Sequence, residues 1–313
     1  MPLDFVHAVL VVVGLILFEV ISSIDNAVVN ADVLATMSAR ARRWFLVYGM
    51  LVAVFLIRGF LPLLIIYFTN PALGLSGAFT ATFSADPAIH RAIESSAPIL
   101  LAGGGLYLVL LFLHWLFVEE KQYAFFFERH IHRKLSFWFY TVASFLLLAV
   151  VWTTLKINPL IALGAVIGST AFFITTGFKK NAEEKEKELA QSRGLSDVSK
   201  ILYLEIIDGT FSIDGVLGAF AFTLSIPLIL IGSGIGAYVV RTFTIHGIAT
   251  VKKYRYLKNG AMYSVGSLGA MMLVESLGLH PQPWIAPLIT LVVVSIFFWL
   301  SRHELVMQGA MKG

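Results

Sequence analysis

Two stretches of the chain place carboxylates six residues apart around a Ser-Ile-Asp core. The first runs from Glu19 to Asp25 and Asn26, the second from Asp208 to Asp214. Both lie inside long apolar runs, where an ionised carboxylate costs on the order of 3 kcal/mol unless a partner compensates it. A feature that costly, written twice, indicates a cation site buried in a membrane. Glu205, three residues before Asp208, adds a fifth acid.

On a helix turning about 100° per residue, Glu19, Ser23, Asn26 and Asn30 share one polar face, and Asp25 lies about 120° from it. Asp208, Ser212 and Gly215 form the matching face, with Asp214 displaced in the same sense. A single site using both acids of each motif therefore requires an unwound or widened turn. Ser22-Ser23 and Gly209/Gly215 are the permissive points, and carbonyls freed there would become ligands.

The donors are carboxylates, an amide, hydroxyls and carbonyls; neither motif contains His, and the chain has no Cys. Oxygen-only coordination favours hard divalent ions, Mg²⁺, Ca²⁺ or Mn²⁺. Five acids exceed the charge of one such ion, so some are protonated or paired with Arg when no ion is bound. Exchange of metal for protons or Na⁺ is the coupling this suggests. The structural alternative pairs Asp25 with Arg58 and Asp214 with Arg241 as buried ion pairs that fix helix packing.

Composition fits a membrane setting. Of 313 residues 58% are hydrophobic and 13% charged, and mean hydropathy is +0.83; a soluble protein carries about a quarter charged residues. The absence of Cys excludes disulfides, zinc–thiolate sites and iron–sulfur clusters. The net charge of +4 is the mark of basic cytoplasmic loops rather than of a nucleic-acid partner.

A hydrocarbon core of about 30 Å takes roughly 20 apolar residues per helix. By that measure an all-α polytopic protein of nine spans is expected, at about 5–30, 44–68, 97–118, 136–155, 159–178, 201–224, 226–248, 261–279 and 284–300. No basic region precedes the first run and Glu19 interrupts it, which argues against a cleaved signal peptide. Of 23 Lys and Arg, nineteen fall in one set of alternating loops and only Arg91 and Lys156 in the other; Arg58 and Arg241 lie within spans. The positive-inside rule then puts the N-terminus outside and the C-terminus in the cytoplasm, in a bacterial inner membrane. Asp86-Pro87 predicts a short helix toward Glu94 in the large outer loop. The charged segment 179–199 reads as an exposed helical connector ending near Gly194.

The likeness between the halves extends past the acids. Gly49 precedes Arg58 by nine residues, as Gly232 precedes Arg241; Gly104 precedes Tyr107 as Gly260 precedes Tyr263, with Glu119 and Glu275 twelve residues beyond. Spans one to three would repeat as six to eight. Five spans separate each pair, so the copies cross in opposite directions, an inverted repeat of the secondary-transporter kind. The chain divides accordingly into a first repeat (1–118), a connecting region with a charged loop (119–200), a second repeat (201–279) and a last span with a cytoplasmic tail (280–313). The Gly clusters at 103–105 and 232–236 read as close helix contacts, and His114 as a packed core histidine.

The segments SSIDNAVVNADVL and EIIDGTFSIDGV closely resemble the TerC/Alx family of integral membrane proteins, and the likeness runs from span one to span eight. By that resemblance the family's acidic positions fall on Glu19, Asp25 and Asn26 and on Glu205, Asp208 and Asp214. It implies manganese homeostasis, mainly efflux, a historical link to tellurite resistance, and kinship with cation exchangers. The chain has Ser-Ile-Asp-Gly-Val where many members carry Val-Asp-Ser-Ile-Pro, a departure that bears on ion identity more than on ion binding.

The leading expectation is a divalent-cation transporter, with Mn²⁺ favoured and Ser23, Asn30, Ser212, Arg58 and Arg241 in support. It has no enzymatic activity and no prosthetic group, and its partners are the metal ion and the lipid bilayer. Competing classes are a membrane scaffold or metal-loading partner without flux, an exporter of organic solutes, and an intramembrane aspartyl protease, against which the missing Gly-x-Gly-Asp signature counts.

Overall fold

The computed structural model describes residues 5–49, 51–52, 59–60, 67, 74, 76–77, 87–121, 123–191, 196–246 and 253–310. All regular structure among them is helical. In chain order these are α1 (Phe5–Ser22), α2 (Ile24–Ala35) and α3 (Ala39–Trp44), the last leading into a π-helical turn, Phe45–Gly49. Then come α4 (Pro87–Phe117), α5 (Phe126–Leu135), α6 (Phe139–Thr154), α7 (Pro159–Gln191), α8 (Asp197–Ala219), α9 (Ile226–His246), α10 (Leu257–Ser276) and α11 (Ile285–Ala310).

Local chemistry sets these boundaries. Proline opens α4 and α7, where its missing N–H is no loss. Ser38 and Ser196 cap α3 and α8, accepting from the Ala41 and Ser199 amides at 3.3 and 3.2 Å. Asp197 accepts from the Ser38 hydroxyl at 2.5 Å, a bond that holds its carboxyl below the ordinary range and ties the start of α8 to the start of α3. At the far end of α4, Lys121 donates to the Trp115 and Leu116 carbonyls at 2.8 and 2.9 Å, so a cation meets the negative helix end. Gly278, at φ +92°, turns the chain away from α10.

Among the described residues, six segments are long and apolar enough to cross a membrane: Phe5–Ser22, Ser96–Phe117, Ser136–Thr154, Pro159–Lys179, Ile226–Thr244 and Ile285–Met307. On α6, Phe145 and Trp152 are each 64% exposed, an outward apolar face suited to lipid rather than water. Helices α8 and α10, of 23 and 20 residues, are comparable in length but more polar. The expected second span, 44–68, lies mostly outside the described residues, as does most of the outer loop.

Small residues set the packing. A Cβ on Gly103 of α4 would lie 2.7 Å from the Gly164 carbonyl of α7, and one on Gly105 would lie 2.9 Å from the Gly269 carbonyl of α10. The glycine clusters therefore serve close helix contact, as expected. Contacts also fix helix directions. Along α4 and α7, Gly103 meets Gly164 and Tyr107 meets Thr175, so the two are parallel. Along α4 and α10, Gly104 meets Met272 and Trp115 meets Tyr263, so these are antiparallel. Leu15 and Glu19 of α1 meet Gly232 and Gly236 of α9 in parallel, and Phe18 and Gly14 meet Gly218 and Phe222 at the end of α8 in antiparallel sense.

Two local expectations change. The helix beginning at Pro87 does not stop near Glu94; it continues through Pro98 to Phe117 as one 31-residue helix. The charged segment is helical to Gln191, as expected, but continuous with the span before it: α7 runs unbroken from the apolar Pro159 end, because Ala, Glu and Lys propagate a helix already nucleated by the preceding turns. Gly194 and Asp86 lie outside the described residues.

Candidate functional site

The two motifs sit in differently built helices. In the first, α1 ends at Ser22 and α2 begins at Ile24, with Ser23 between them at φ −95°, ψ 1°. The helix is distorted at Ser23 rather than opened: the Ser23 amide still donates to the Glu19 carbonyl at 3.2 Å and the Ala27 amide to the Ser23 carbonyl at 2.9 Å. Glu19 is 2% exposed, with its stem seated on Gly236 of α9. A Cβ there would sit 2.6 Å from that of Glu19, so glycine is what lets the acid enter. The Ser23 hydroxyl donates to Glu19 Oε1 at 2.8 Å, and Ser22 Oγ to the Glu19 carbonyl at 3.3 Å. Two turns on, Asn30 is 5% exposed with Oδ1 unpartnered among the described residues, an acceptor facing into the protein. Asp25 and Asn26 lie on α2 with side chains outside the described set, as Arg58 is altogether.

The second motif does not break. Helix α8 passes through Gly209 and Gly215 to Ala219, so the expected widened turn is absent. On an intact helix, six residues separate Asp208 from Asp214 by about 9 Å of rise and about 120° of rotation, and the two acids go to different neighbours. Asp208 accepts from Arg241 Nη2 at 2.7 Å. Glu205 takes the other face of the same guanidinium, at 3.0 Å from Nη1 and 3.2 Å from Nη2.

Arg241 is fixed on every side. It is 4% exposed, donates to the Phe45 carbonyl at 2.7 Å, and lies 4.2 Å from the centroid of the Phe45 ring. The π-helical turn Phe45–Gly49 brings that carbonyl into reach. Its last residue explains the glycine: a Cβ on Gly49 would lie 2.7 Å from Arg241 Nη1 and closer still to Glu205 Oε1. The planar guanidinium holds Glu205 through both of its terminal nitrogens while also reaching Asp208 and the Phe45 carbonyl, a bidentate geometry that a lysine ammonium lacks.

Asp214 meets another base. Lys179 of α7 donates to its Oδ2, and the Tyr107 hydroxyl of α4 donates to Oδ1 at 2.5 Å. Tyr107 is fully buried and shares a 2.9 Å hydrogen bond with Thr175, one turn before Lys179. His114, two turns along α4 from Tyr107, packs edge-on against Phe139 and Phe172 at 5.3 and 6.0 Å, a core histidine as expected. The pairing of Asp214 with Arg241 is therefore corrected: Arg241 serves Glu205 and Asp208, and Lys179 serves Asp214. Ser212 Oγ donates back to the Asp208 carbonyl at 2.7 Å.

Tyr107 and Lys179 were not among the expected site residues. Counting Lys179 with the cytoplasmic loops concealed it. The signal was in the spacing: Ala165, Gly168, Phe172 and Thr175 form a buried stripe on α7, and Lys179 is its next member.

Of the motif carboxylates, Glu19 is buried with a serine partner, and Glu205, Asp208 and Asp214 are mostly buried beside two bases. Among the described residues, no three His, Asp or Glu side chains converge closely enough to hold a metal ion.

A family model described as "Protein of unknown function (DUF475)" matches residues 24–305, and the chain belongs to that family. No curated protein and no solved structure matches it.

Proposed function

We propose that this member of the family is an integral membrane transporter of divalent cations, with Mn²⁺ the favoured ion and protons or Na⁺ the counter-ion. The observation that carries the reading is a set of four buried or mostly buried carboxylates on two motif helices, three of them met by two internal bases. Burial of that much ionisable oxygen in an apolar bundle is costly, and membrane proteins retain it where ions pass. Arg241 and Lys179 are the cations that hold the acids while no metal is bound. Asn30 and Ser23 are neutral oxygen donors that a hard ion accepts. Asp25 and Asn26 complete the set by sequence.

Nine spans and an inverted repeat are part of the proposal. Every described pairing agrees with the parity that nine spans demand: spans three and five parallel, one and seven parallel, three and eight antiparallel, one and six antiparallel. The acids also pack across the halves, Glu19 of the first repeat on Gly236 of the second and Glu205 of the second on Gly49 of the first. A reciprocal exchange of this kind suits two interleaved copies around a midplane site. The resemblance to TerC/Alx proteins, the N-out orientation and a bacterial inner-membrane location belong to the same reading.

A second reading has its own observation. Glu205 and Asp208 are engaged by Arg241 and Asp214 by Lys179, as in a scaffold whose buried ion pairs fix helix packing without flux. An aspartyl dyad, by contrast, needs two carboxylates sharing a proton, and Asp208 and Asp214 face different partners.

The deciding experiment is Mn²⁺ flux in proteoliposomes with and without a pH gradient, wild type against Asp208→Asn. Saturable flux lost in the variant is expected, and stimulation by the gradient identifies proton exchange. Silence for Mn²⁺, Ca²⁺ and Mg²⁺ alike would establish the scaffold instead.

A further inference from the structure

The two bases at the second motif are built for different work. Arg241 holds two carboxylates and a carbonyl and lies against an aromatic ring. Releasing it would undo all of these at once, so it is the harder of the two to displace. Lys179 is a point charge on a flexible four-carbon stem. It enters from the end of the apolar segment Pro159–Lys179, where α7 continues into the charged run 180–191. A lysine there can swing its ammonium toward the polar end of the helix when displaced, with its stem still packed.

The groups that face Lys179 support that motion. Asp214 of α8 is its carboxylate; Tyr107 of α4 donates to the other oxygen of that carboxylate and is itself fixed by Thr175 of α7. His114 of α4 lies within range of the lysine's charge. If the ammonium leaves, Asp214 keeps its Tyr107 hydrogen bond and its position, so a carboxylate oxygen is presented to an incoming ion without rearrangement of α4 or α8.

We infer that Lys179 is a tethered counter-cation, occupying the Asp214 carboxylate in the ion's absence and yielding it when a divalent cation arrives, and that it thereby sets ion affinity. The inference rests on the reading of Asp214 as a cation ligand. It makes Lys179 a specificity-determining residue: a monovalent ion competes poorly with a resident ammonium of equal charge, whereas a divalent ion gains twice the Coulomb attraction to the same carboxylate.

The test is Mn²⁺ binding to the full-length protein in detergent at fixed pH, read from the paramagnetic signal of free Mn²⁺, for wild type, Lys179→Gln, Lys179→Arg and Asp214→Asn. Removing the resident cation should tighten binding about tenfold or more in Lys179→Gln. A forked, less mobile cation should weaken it by a similar factor in Lys179→Arg. Circular dichroism and size-exclusion profiles check folding, and if the Gln variant does not fold the Arg variant decides alone. Equal affinity in wild type and both lysine variants, with binding lost in Asp214→Asn, would overturn the counter-cation role alone. Unchanged affinity in Asp214→Asn, or no Mn²⁺ binding by any of the four, would overturn the ligand reading on which it stands.

Discussion

The first acidic motif interrupts its helix and the second does not. At Ser23 the chain breaks between α1 and α2, and Glu19 keeps a hydroxyl partner from that break. In α8 the helix passes intact through two glycines, and its acids are met by bases from α7 and α9. A buried carboxylate can be satisfied in either way, by a hydroxyl of its own helix or by bringing a cation to it. Under the proposed function the two routes have different consequences for an ion. An acid met by a hydroxyl can take up a metal directly, whereas a neutralised acid must first lose its base. On that reading the first motif is the readier half of the site, and the second the half that must be switched.

The largest effect should come from the base with the most partners. Arg241→Met would strand Glu205 and Asp208 without their cation, and a broken buried pair costs about 3–5 kcal/mol. Thermal unfolding in detergent should show a severely destabilised protein; a loss below about 1 kcal/mol would mean that α8 does not depend on this guanidinium. Next is Gly49→Ala. The added methyl meets the Glu205–Arg241 pair and should cost about 1–3 kcal/mol. Gly177→Ala, where a Cβ meets nothing within 4 Å, should be neutral or stabilising by up to about 1 kcal/mol. Equal behaviour of the two glycines would remove the argument that the π-helical turn is fitted to the ion pair.

The smallest effect separates the motifs' serines. Ser23→Ala deletes a hydrogen bond to a buried carboxylate and should cost about 1.5 kcal/mol. Ser212→Ala deletes one to a carbonyl of its own helix and should cost about 0.5 kcal/mol, a gap readable in paired melts. Reversal of that order would show that the break at Ser23 does not serve Glu19.

How far the sequence carried the account depends on the kind of interaction. The lapse at Ser23 falls at the permissive Ser22-Ser23 pair, where the spacing of the first motif called for a distorted turn, although the Ser23 and Ala27 amide bonds still span it. The glycine contacts were legible because nothing but close approach uses a Gly103–Gly105 run in an apolar helix. The same geometry misled at α8, since it assumed that both acids sought one site. Asp208 and Asp214 instead point about 120° apart, to bases supplied by other helices, and no spacing within a motif records which helix will stand beside it. Arg241 was therefore assigned the wrong aspartate. Lys179 was grouped with loop charges although it completes the buried stripe of α7. The charged run beyond it belongs to the same helix, because helix propensity does not stop at the membrane edge.

The most direct test of the central claim, that paired acids from both motifs bind one transported cation, is Mn²⁺ flux through Asp25→Asn and Asp214→Asn measured side by side in proteoliposomes against folded wild type. Each substitution keeps size and removes one charge, one from the broken motif and one from the unbroken. The account predicts that both variants fold and that flux is abolished in each. Normal transport by either one, in liposomes where wild type is active, would contradict it.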